Sequence, residues 1–568
     1  MAKGGAILRL RRQKRIVFLS FTCLVIFTLL VMRLGYIQLV QHERWSSKAV
    51  GQRMQALTLD YNRGDILDRH GVSLLGGEKE RVLVVFPSLL RQAGQEIFEW
   101  IASSIPGVVL SNGPFIARRA LDPNEEKIYE GYLSYGLVLT DAQRRYGPQA
   151  LATHLVGHVG PADGKGKVGL EFTFNEELEG GSHSILAVAV DGKKRPIKGL
   201  GYRILTEDTP HAPYSLLLTI DGNIQQVVEN IMDRYIARGS VVVMDPRNGD
   251  ILAMASRPNY LQSDLPSYLE GNDARNSFLN TQPFINRSIL GYPPGSVFKI
   301  VVAAAAIDTG EAWSSSRFYC PGYIEVGDTI FRCYQGKAHG SINLAEAFAH
   351  SCNSVFIKLA LSLGRDMIYQ YASAMGLGKS TGLPLGSPVH GGETEGKLPK
   401  PDEMPFLGDL ALTAIGQGRV EATPLQIARL TAVIANGGFL VEPRLVQALQ
   451  TKEGETIETF DAAPCRRVIN PLTASRLRLM MSGVVEFGTG QAAGSEILHL
   501  GGKTGTAETE KLVNGKQLQY SWFTGLAPVE DCRAVITVFI EEPLQGKAPE
   551  VFRKIAETID RYRDTKGS

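Results

Sequence analysis

The sequence predicts an α+β chain of several domains: an N-terminal membrane helix, a mixed middle region, and a C-terminal domain built on one antiparallel sheet. Three observations carry this. At 568 residues the chain holds about three to four domain lengths, and its 44% hydrophobic and 21% charged residues are those of a packed protein. A charge-free apolar run covers Ile16 to Met32. From residue 215 onward the patterning reads strand, helix, two strands, a helical middle, three strands and a closing helix. That order describes an antiparallel central sheet with helices on both faces plus an all-helical subdomain.

Taken in order, residues 1–15 form a basic tail, in which Lys3, Arg9, Arg11, Arg12, Lys14 and Arg15 stand without an acid. The whole chain carries only +2, so the remainder is net acidic and lacks the basic excess of a nucleic-acid binder. Residues 16–40 form the anchor. Leu34, Tyr36, Ile37, Leu39 and Val40 extend the apolar run past Arg33, whose long side chain snorkels to the interface. A cleaved signal peptide is the competing reading, disfavoured by the length of the run and by the lack of a small-x-small site after it. The tail then holds the N-terminus in the cytoplasm and puts the body outside, as a single-pass protein of the cytoplasmic membrane. Six cysteines are too few for a disulfide scaffold, and only Cys320 and Cys333 form a candidate pair. No C-x-x-C or H-E-x-x-H occurs, so the spacing assigns no metal.

Residues 41–205 form a second domain. Tyr61-Asn62-Arg63-Gly64-Asp65-Ile66-Leu67-Asp68-Arg69-His70-Gly71 reads as a charged turn between short strands, held by structural ion pairs. Helical segments at Gln95–Ile105 and Glu125–Tyr132 follow, without chemistry. Gly164, Gly166 and Gly169 match a dinucleotide fingerprint, but Pro161-Ala162-Asp163-Gly164 occupies the place of the preceding strand. Residues 206–214, polar and proline-bearing, are the hinge, and 215–568 the third domain. There Ser215–Ile220 reads as a strand, Asp221–Ala237 as a helix with Asp221 its N-cap, and Gly239–Met244 and Ile251–Ala255 as strands. Helices come at Leu344–Ala349 and Leu425–Ala435, the latter capped by Thr423-Pro424 and stopped by Gly437-Gly438. Strands at His499–Thr504, Ser521–Leu526 and Ala534–Ile540 and a helix near Val551–Tyr562 complete it.

The chemistry gathers on Pro293-Pro294-Gly295-Ser296-Val297-Phe298-Lys299, a turn followed by an apolar helix. Positions i and i+3 share a helix face, so Ser296 and Lys299 lie side by side. Serine is a weak nucleophile until a base takes its proton, and a lysine amine serves when burial or nearby positive charge lowers its pKa. The first turn also offers free backbone N–H groups to a developing oxyanion. A lone S-x-x-K pattern is commonplace, and most are a solvated serine and lysine at a helix start. Two further motifs change the balance: Ser351-Cys352-Asn353, then Lys503-Thr504-Gly505-Thr506. S-x-x-K, S-x-N and K-T-G in that order mark penicillin-recognising serine enzymes. Gly501-Gly502-Lys503-Thr504 imitates the end of a phosphate loop, but the required first glycine falls on Ile497. Strand-like Ile497–Leu500 fits a sheet edge better.

Together these residues resemble the class B penicillin-binding proteins, monofunctional peptidoglycan D,D-transpeptidases, over essentially the whole chain. The likeness extends to Arg63–Gly71, to Val168–Gly180, and to Ile415–Gly418 with Thr423–Gln426. Val297 stands where threonine is more usual, and Cys352 fills a position that varies. The resemblance implies an elongated, non-catalytic, dimerisation-like pedestal for 41–205 and a penicillin-binding transpeptidase domain for 215–568. Ser296 would attack the penultimate D-alanine carbonyl of a stem peptide, releasing the terminal D-alanine from a serine acyl-enzyme. Lys299 would be the base, Ser351 the proton relay, Asn353 the orienting amide, and Lys503 a positive field that helps keep Lys299 neutral. Thr504, Gly505 and Thr506 would bind substrate, with the backbone N–H groups of Ser296 and Thr506 as oxyanion hole. No cofactor is implied.

The implied partners are peptidoglycan stem peptides on lipid-linked glycan strands, β-lactams as covalent inhibitors, and a multi-span SEDS-type glycosyltransferase with other wall-synthesis membrane proteins. Elongation, division and sporulation stay open. One rival reading is a β-lactamase or carboxypeptidase, which passes the same acyl group to water. It needs neither the anchor nor the extra domain. The other is a β-lactam sensor or silent scaffold, and the intact motif side chains argue against a dead enzyme.

Overall fold

The computed structural model describes residues 2–41, 54–92, 94–105, 108, 113–160, 163–193, 195, 197, 201–208, 212–265, 281–386, 392–513, 516–541 and 547–567. They fall into two compact units that interleave along the chain. The first holds Met1–Asp60, Lys79–Gln143 and Ser182–Asp208; the second holds Tyr61–Glu78, Arg144–Gly181 and Thr209–Ser568. The boundary drawn at 206–214 follows the sequence, whereas the contacts assign 61–78 and 144–181 to the second unit. Of the hinge residues, 206–208 close the strand Tyr202–Asp208, and 209–211 lie outside the described residues.

In the first unit the helix Ala2–Gly35 continues as a π-helical turn, Tyr36–Val40. Its segment Val17–Leu39 is long and apolar enough to cross a membrane, and none of it is buried in protein. This span fits a single-pass anchor. Two three-stranded sheets follow, one of Met54–Asp60, Ser182–Ala189 and Tyr202–Asp208, the other of Phe115–Arg119, Lys79–Val85 and Leu137–Gln143. Helices stand at Gln95–Ser104 and Pro123–Glu130, close to the expected bounds.

The second unit is organised on a five-stranded antiparallel sheet. Its order is Ile251–Arg257, Gly239–Met244, Ala534–Ile540, Lys516–Ala527, Gly501–Val513. Gly239–Met244 and Ala534–Ile540 are buried along their whole length, as near-continuous apolar strands must be when both faces are covered. Val241, Val243, Ile536 and Val538 pack with helices Gly222–Tyr235 and Lys547–Gly567. Val242, Met244, Val535 and Phe539 face the larger core, which contains helices Lys299–Asp308 and Pro424–Ala435. Asp221 caps its helix by accepting from the Asn223 and Ile224 N–H groups, and Thr423 and Gln426 form a reciprocal capping box.

The turn at Arg63–Gly71 is structural, as read. Ile66–Leu67 pairs in parallel with Leu216 and Leu217. The fully buried Glu171 carboxylate receives Arg63 at 3.1 Å, Arg145 at 2.5 Å and the Tyr146 hydroxyl at 2.9 Å. Gly166 serves close packing, since a Cβ there would meet the Glu171 carbonyl oxygen at 1.7 Å.

Two expectations fail. The middle subdomain is not all helical: Arg317–Cys320 pairs with Gly340–Asn343, and Tyr323–Val326 with Thr329–Arg332. Arg317–Cys320 and Tyr323–Val326 alternate exposed with part-buried or buried side chains, a period of two too brief to stand out. Residues 497–500 are not a strand either. The Ser495 hydroxyl accepts from the Ile497 and Leu498 N–H groups and folds them into a local turn, so the edge strand starts at Gly501.

Candidate active site

Ser296 lies in the 3₁₀ turn Gly295–Phe298, which opens onto the helix Lys299–Asp308. That helix is buried from Lys299 to Ile307, as its all-round apolar sequence requires. Two contacts fix the turn: the Gly295 N–H donates to the Gly416 carbonyl at 2.9 Å, and the buried Trp522 indole to the Pro293 carbonyl at 3.0 Å. Gly295 has φ +55°, and a Cβ on it would lie 2.4 Å from the Thr506 carbonyl oxygen. The serine turn is thus pressed against the edge strand that carries the third motif.

The Lys299 Nζ is 3.0 Å from Ser296 Oγ, 2.7 Å from the Ser351 carbonyl oxygen, 2.7 Å from Asn353 Oδ1 and 3.2 Å from Ser351 Oγ. The two shortest contacts go to oxygens that only accept. The amine donates to both, and a third short contact joins it to the Ser296 hydroxyl. Lys503 Nζ lies 3.0 Å from Ser351 Oγ on the other side, and 3.1 Å from the Thr504 carbonyl. Ser351 bridges two amines.

Both lysines are fully buried. Burial lowers Lys299 to about 8, and burial together with the charge of Lys299 holds Lys503 well below its ordinary value. The expected division, with Lys503 charged and Lys299 neutral, is not imposed by burial, because both amines are driven down. Lys503 also feels the charge of Lys299, which disfavours a second charge beside it.

Ser351 adopts φ +57°, a left-handed conformation that costs a non-glycine residue roughly 1–3 kcal/mol. The Cys352 N–H holds it from one side by bonding the Ala347 carbonyl at 2.8 Å, and the Asn353 amide donates to the Arg332 carbonyl at 2.8 Å. Thr504 Oγ1 is 2.6 Å from Thr489 Oγ1, a neighbour the motifs did not indicate. Thr506 is exposed on the same strand. The structure therefore brings Ser296, Lys299, Ser351, Asn353 and Lys503 into one hydrogen-bonded cluster, with Thr504, Gly505 and Thr506 along its edge.

A second group was not foreseen. Cys320 and Cys333, the candidate disulfide pair, are free thiols with sulfurs 3.6 Å apart, and Cys352 and His339 join them. Spacing had assigned no metal; folding brings three side chains of the segment 317–343 together with Cys352 of the second motif.

The family described as "Penicillin binding protein transpeptidase domain" matches residues 239–557. The chain belongs to that family. This class B penicillin-binding protein is 29% identical to the stage V sporulation protein D of Bacillus subtilis (strain 168), over 94% of this chain and 82% of that one. It is 28% identical to the peptidoglycan D,D-transpeptidase MrdA of Acinetobacter baumannii, over 92% and 84%. Among solved structures, the D,D-transpeptidase domain of a peptidoglycan glycosyltransferase from Eggerthella lenta superposes with a TM-score of 0.64 at 26% identity, covering 88% of this chain and 98% of that one. A chain from a study of polymerization and crosslinking by a peptidoglycan synthase complex gives 0.64 at 25%, covering 95% and 97%. The penicillin-binding protein described here is a peptidoglycan D,D-transpeptidase of the serine acyl-transfer type.

Proposed function

We propose that Ser296 is the nucleophile of this transpeptidase and Lys299 its base; the contact between Lys299 Nζ and Ser296 Oγ at 3.0 Å carries the reading. Neutral Lys299 takes the hydroxyl proton as Oγ attacks the penultimate D-alanine carbonyl. The backbone N–H groups of Ser296 and Thr506 receive the oxyanion, a term of about 3–4 kcal/mol per donor. Ser351 passes a proton to the departing D-alanine amine, standing as it does between Lys299 and Lys503. Thr504 and Thr506 offer hydroxyls to the terminal carboxylate, and Asn353 holds both Lys299 and a substrate amide; Gly505, expected to bind substrate, instead lets the strand close on the serine turn, since a Cβ there would lie 2.7 Å from the Pro294 carbonyl oxygen. The sheet ends at Gly501–Val513, and an extended stem peptide fits along that edge. The amine of a second stem peptide then attacks the ester and forms the cross-link.

The penicillin adduct is expected to persist. Acylation and deacylation need bases at different places, and the hydrogen-bond partners of Ser296, Lys299, Ser351 and Lys503 among the described residues include no carboxylate. Each 1.4 kcal/mol of missing water activation slows hydrolysis about tenfold. The test is to label the detergent-solubilised chain with fluorescent penicillin, map the adduct and follow its loss with and without a D-amino acid acceptor. Label on the Ser296 peptide and transfer to the acceptor support the reading. Turnover within seconds would make the chain a β-lactamase; D-alanine release with hydrolysis alone would make it a carboxypeptidase.

The basic tail supports an N-terminus in the cytoplasm and a catalytic unit outside. Protease added to spheroplasts should remove the unit, and protection of the Lys503 peptide would reverse that orientation. The wall-polymerising partner is a multi-span SEDS-type glycosyltransferase acting on lipid-linked strands, in line with the complex named above. A fluorescent fusion at side wall, septum or forespore assigns the programme served.

A further inference from the structure

We propose that Glu541 is a positioning residue for acyl transfer: through the Tyr292 hydroxyl it fixes the serine turn against the sheet and so sets the two halves of the oxyanion hole, a role that rests on acylation at Ser296. Glu541 follows the central strand Ala534–Ile540, and Tyr292 stands just before the Pro293–Ser296 turn. The Tyr292 hydroxyl donates to Glu541 Oε1 at 3.1 Å, and Arg287 Nε donates to the same oxygen at 2.7 Å. Arg238 Nε donates to Oε2 at 2.9 Å, and the Glu541 N–H to the Arg238 carbonyl at 2.9 Å.

The protonation states suit this contact. Burial works against the charge on Glu541, yet Arg287 and Arg238 hold its carboxyl below the ordinary value. Burial and the Glu541 charge push the Tyr292 hydroxyl far up, so it stays a donor. An ionised acceptor thus meets a protonated donor at neutral pH, the stronger kind of hydrogen bond. The tyrosine is also held by its ring, which lies 4.2 Å from the Phe539 ring and 5.5 Å, edge-on, from that of Tyr520.

The turn has few other ties to the sheet. Pro293 and Pro294 lack an N–H, so between Tyr292 and Gly295 the backbone offers no donor. The donors on either side both go to the segment 416–422, from Tyr292 to the Ala422 carbonyl at 3.0 Å and from Gly295 to that of Gly416. Among the described residues, two side-chain hydrogen bonds join 292–295 to the sheet or its margin: Trp522 to the Pro293 carbonyl, and Tyr292 to Glu541. The two oxyanion donors lie on the parts so joined, the Ser296 N–H on the turn and the Thr506 N–H on the strand Gly501–Val513. A shift of the turn changes the gap between them, and misplacement by about 1 Å costs on the order of a hundredfold. Glu541 touches no reacting atom and acts through Tyr292.

Tyr292→Phe removes the hydroxyl and keeps the buried ring. In the full chain in detergent, penicillin acylation should slow by roughly 10–100-fold, while the fraction labelled at completion stays at the wild-type level. A boronic acid carrying a penicillin-type side chain forms a tetrahedral adduct on the serine, and its affinity should fall by the same factor. A merely structural role would lower the labelled fraction and leave the rate of the folded molecules unchanged. Glu541→Asp, one methylene shorter, keeps the charge beside the two arginines and withdraws it from Tyr292, so it should slow acylation over the same range. The double variant should be no slower than the slower single one, because both changes remove one contact. Tyr292→Phe decides alone should Glu541→Asp fail to fold. Labelling of Tyr292→Phe within about twofold of wild type, an unchanged boronate affinity, or losses that multiply in the double variant overturn the positioning role and leave Ser296 as nucleophile. Wild-type label on a peptide other than that of Ser296 overturns the catalytic reading and the positioning role with it.

Discussion

Lys299→Met is expected to lose penicillin acylation by about 10²–10⁴-fold, the range that a positioned base contributes. The amine at 3.0 Å is the hydrogen-bond partner of Ser296 Oγ, and removing it leaves the hydroxyl at the reactivity of an ordinary alcohol. Methionine fills the same buried channel with a flexible apolar chain, so the helix Lys299–Asp308 keeps its packing. The pH profile gives a second readout. Because burial lowers Lys299 to about 8, its neutral form at pH 7 is about 300 times more abundant than for a lysine at 10.5. Acylation by the wild-type chain should therefore rise with pH through about 8 and fall below it, and the variant should lack that rise. Stopped-flow labelling with a fluorescent penicillin measures both. A variant labelled within a few-fold of wild type would remove Lys299 from the mechanism.

The largest structural effect is expected at Glu171, well away from the reacting groups. Its carboxylate neutralises Arg63 and Arg145, whose side chains are 2% and 18% exposed, and accepts from the Tyr146 hydroxyl. Glu171→Ala strands two guanidinium groups, a loss of about 3–5 kcal/mol for a broken buried pair. Thermal unfolding followed by circular dichroism, or protease resistance, should show the catalytic unit strongly destabilised. Glu171→Gln keeps the hydrogen-bonding shape without the charge and should fall between. A destabilisation below about 1 kcal/mol would mean that water or a rearranged neighbour takes over the two cations.

Much of this was legible in the sequence because the deciding patterns are local. Leu344–Ala349 and Ala534–Ile540 have the expected bounds, the first set by its Asn343 cap and the second by an unbroken apolar run. The spacing of Ser296 and Lys299 holds because a helical turn converts three residues into one shared face. What sequence reading missed depends on tertiary placement. The strands within 317–343 are stabilised by pairing across loops rather than by their own propensity. Cys320, Cys333, His339 and Cys352 are spread along the chain, with twelve residues between the first two, so no short motif announces their meeting. The interleaved units escaped for the same reason. Nothing local in Arg63–Gly71 says that Ile66 pairs beside Leu216.

The strand order also dictates when the enzyme first exists during synthesis. Gly239–Met244 is flanked by Ile251–Arg257 and by Ala534–Ile540, and Lys503 reaches the site only through Lys516–Ala527, which pairs on Ala534–Ile540. Ser296 and Lys299 are translated long before the strand that carries Lys503 has a neighbour to join. The pairing is non-local in sequence, and a sheet so assembled forms slowly. Until Ala534–Ile540 and Lys516–Ala527 have paired, a chain holds Ser296 and Lys299 without Lys503 beside Ser351. The cluster of Ser296, Lys299, Ser351 and Lys503 thus exists only once the sheet is complete.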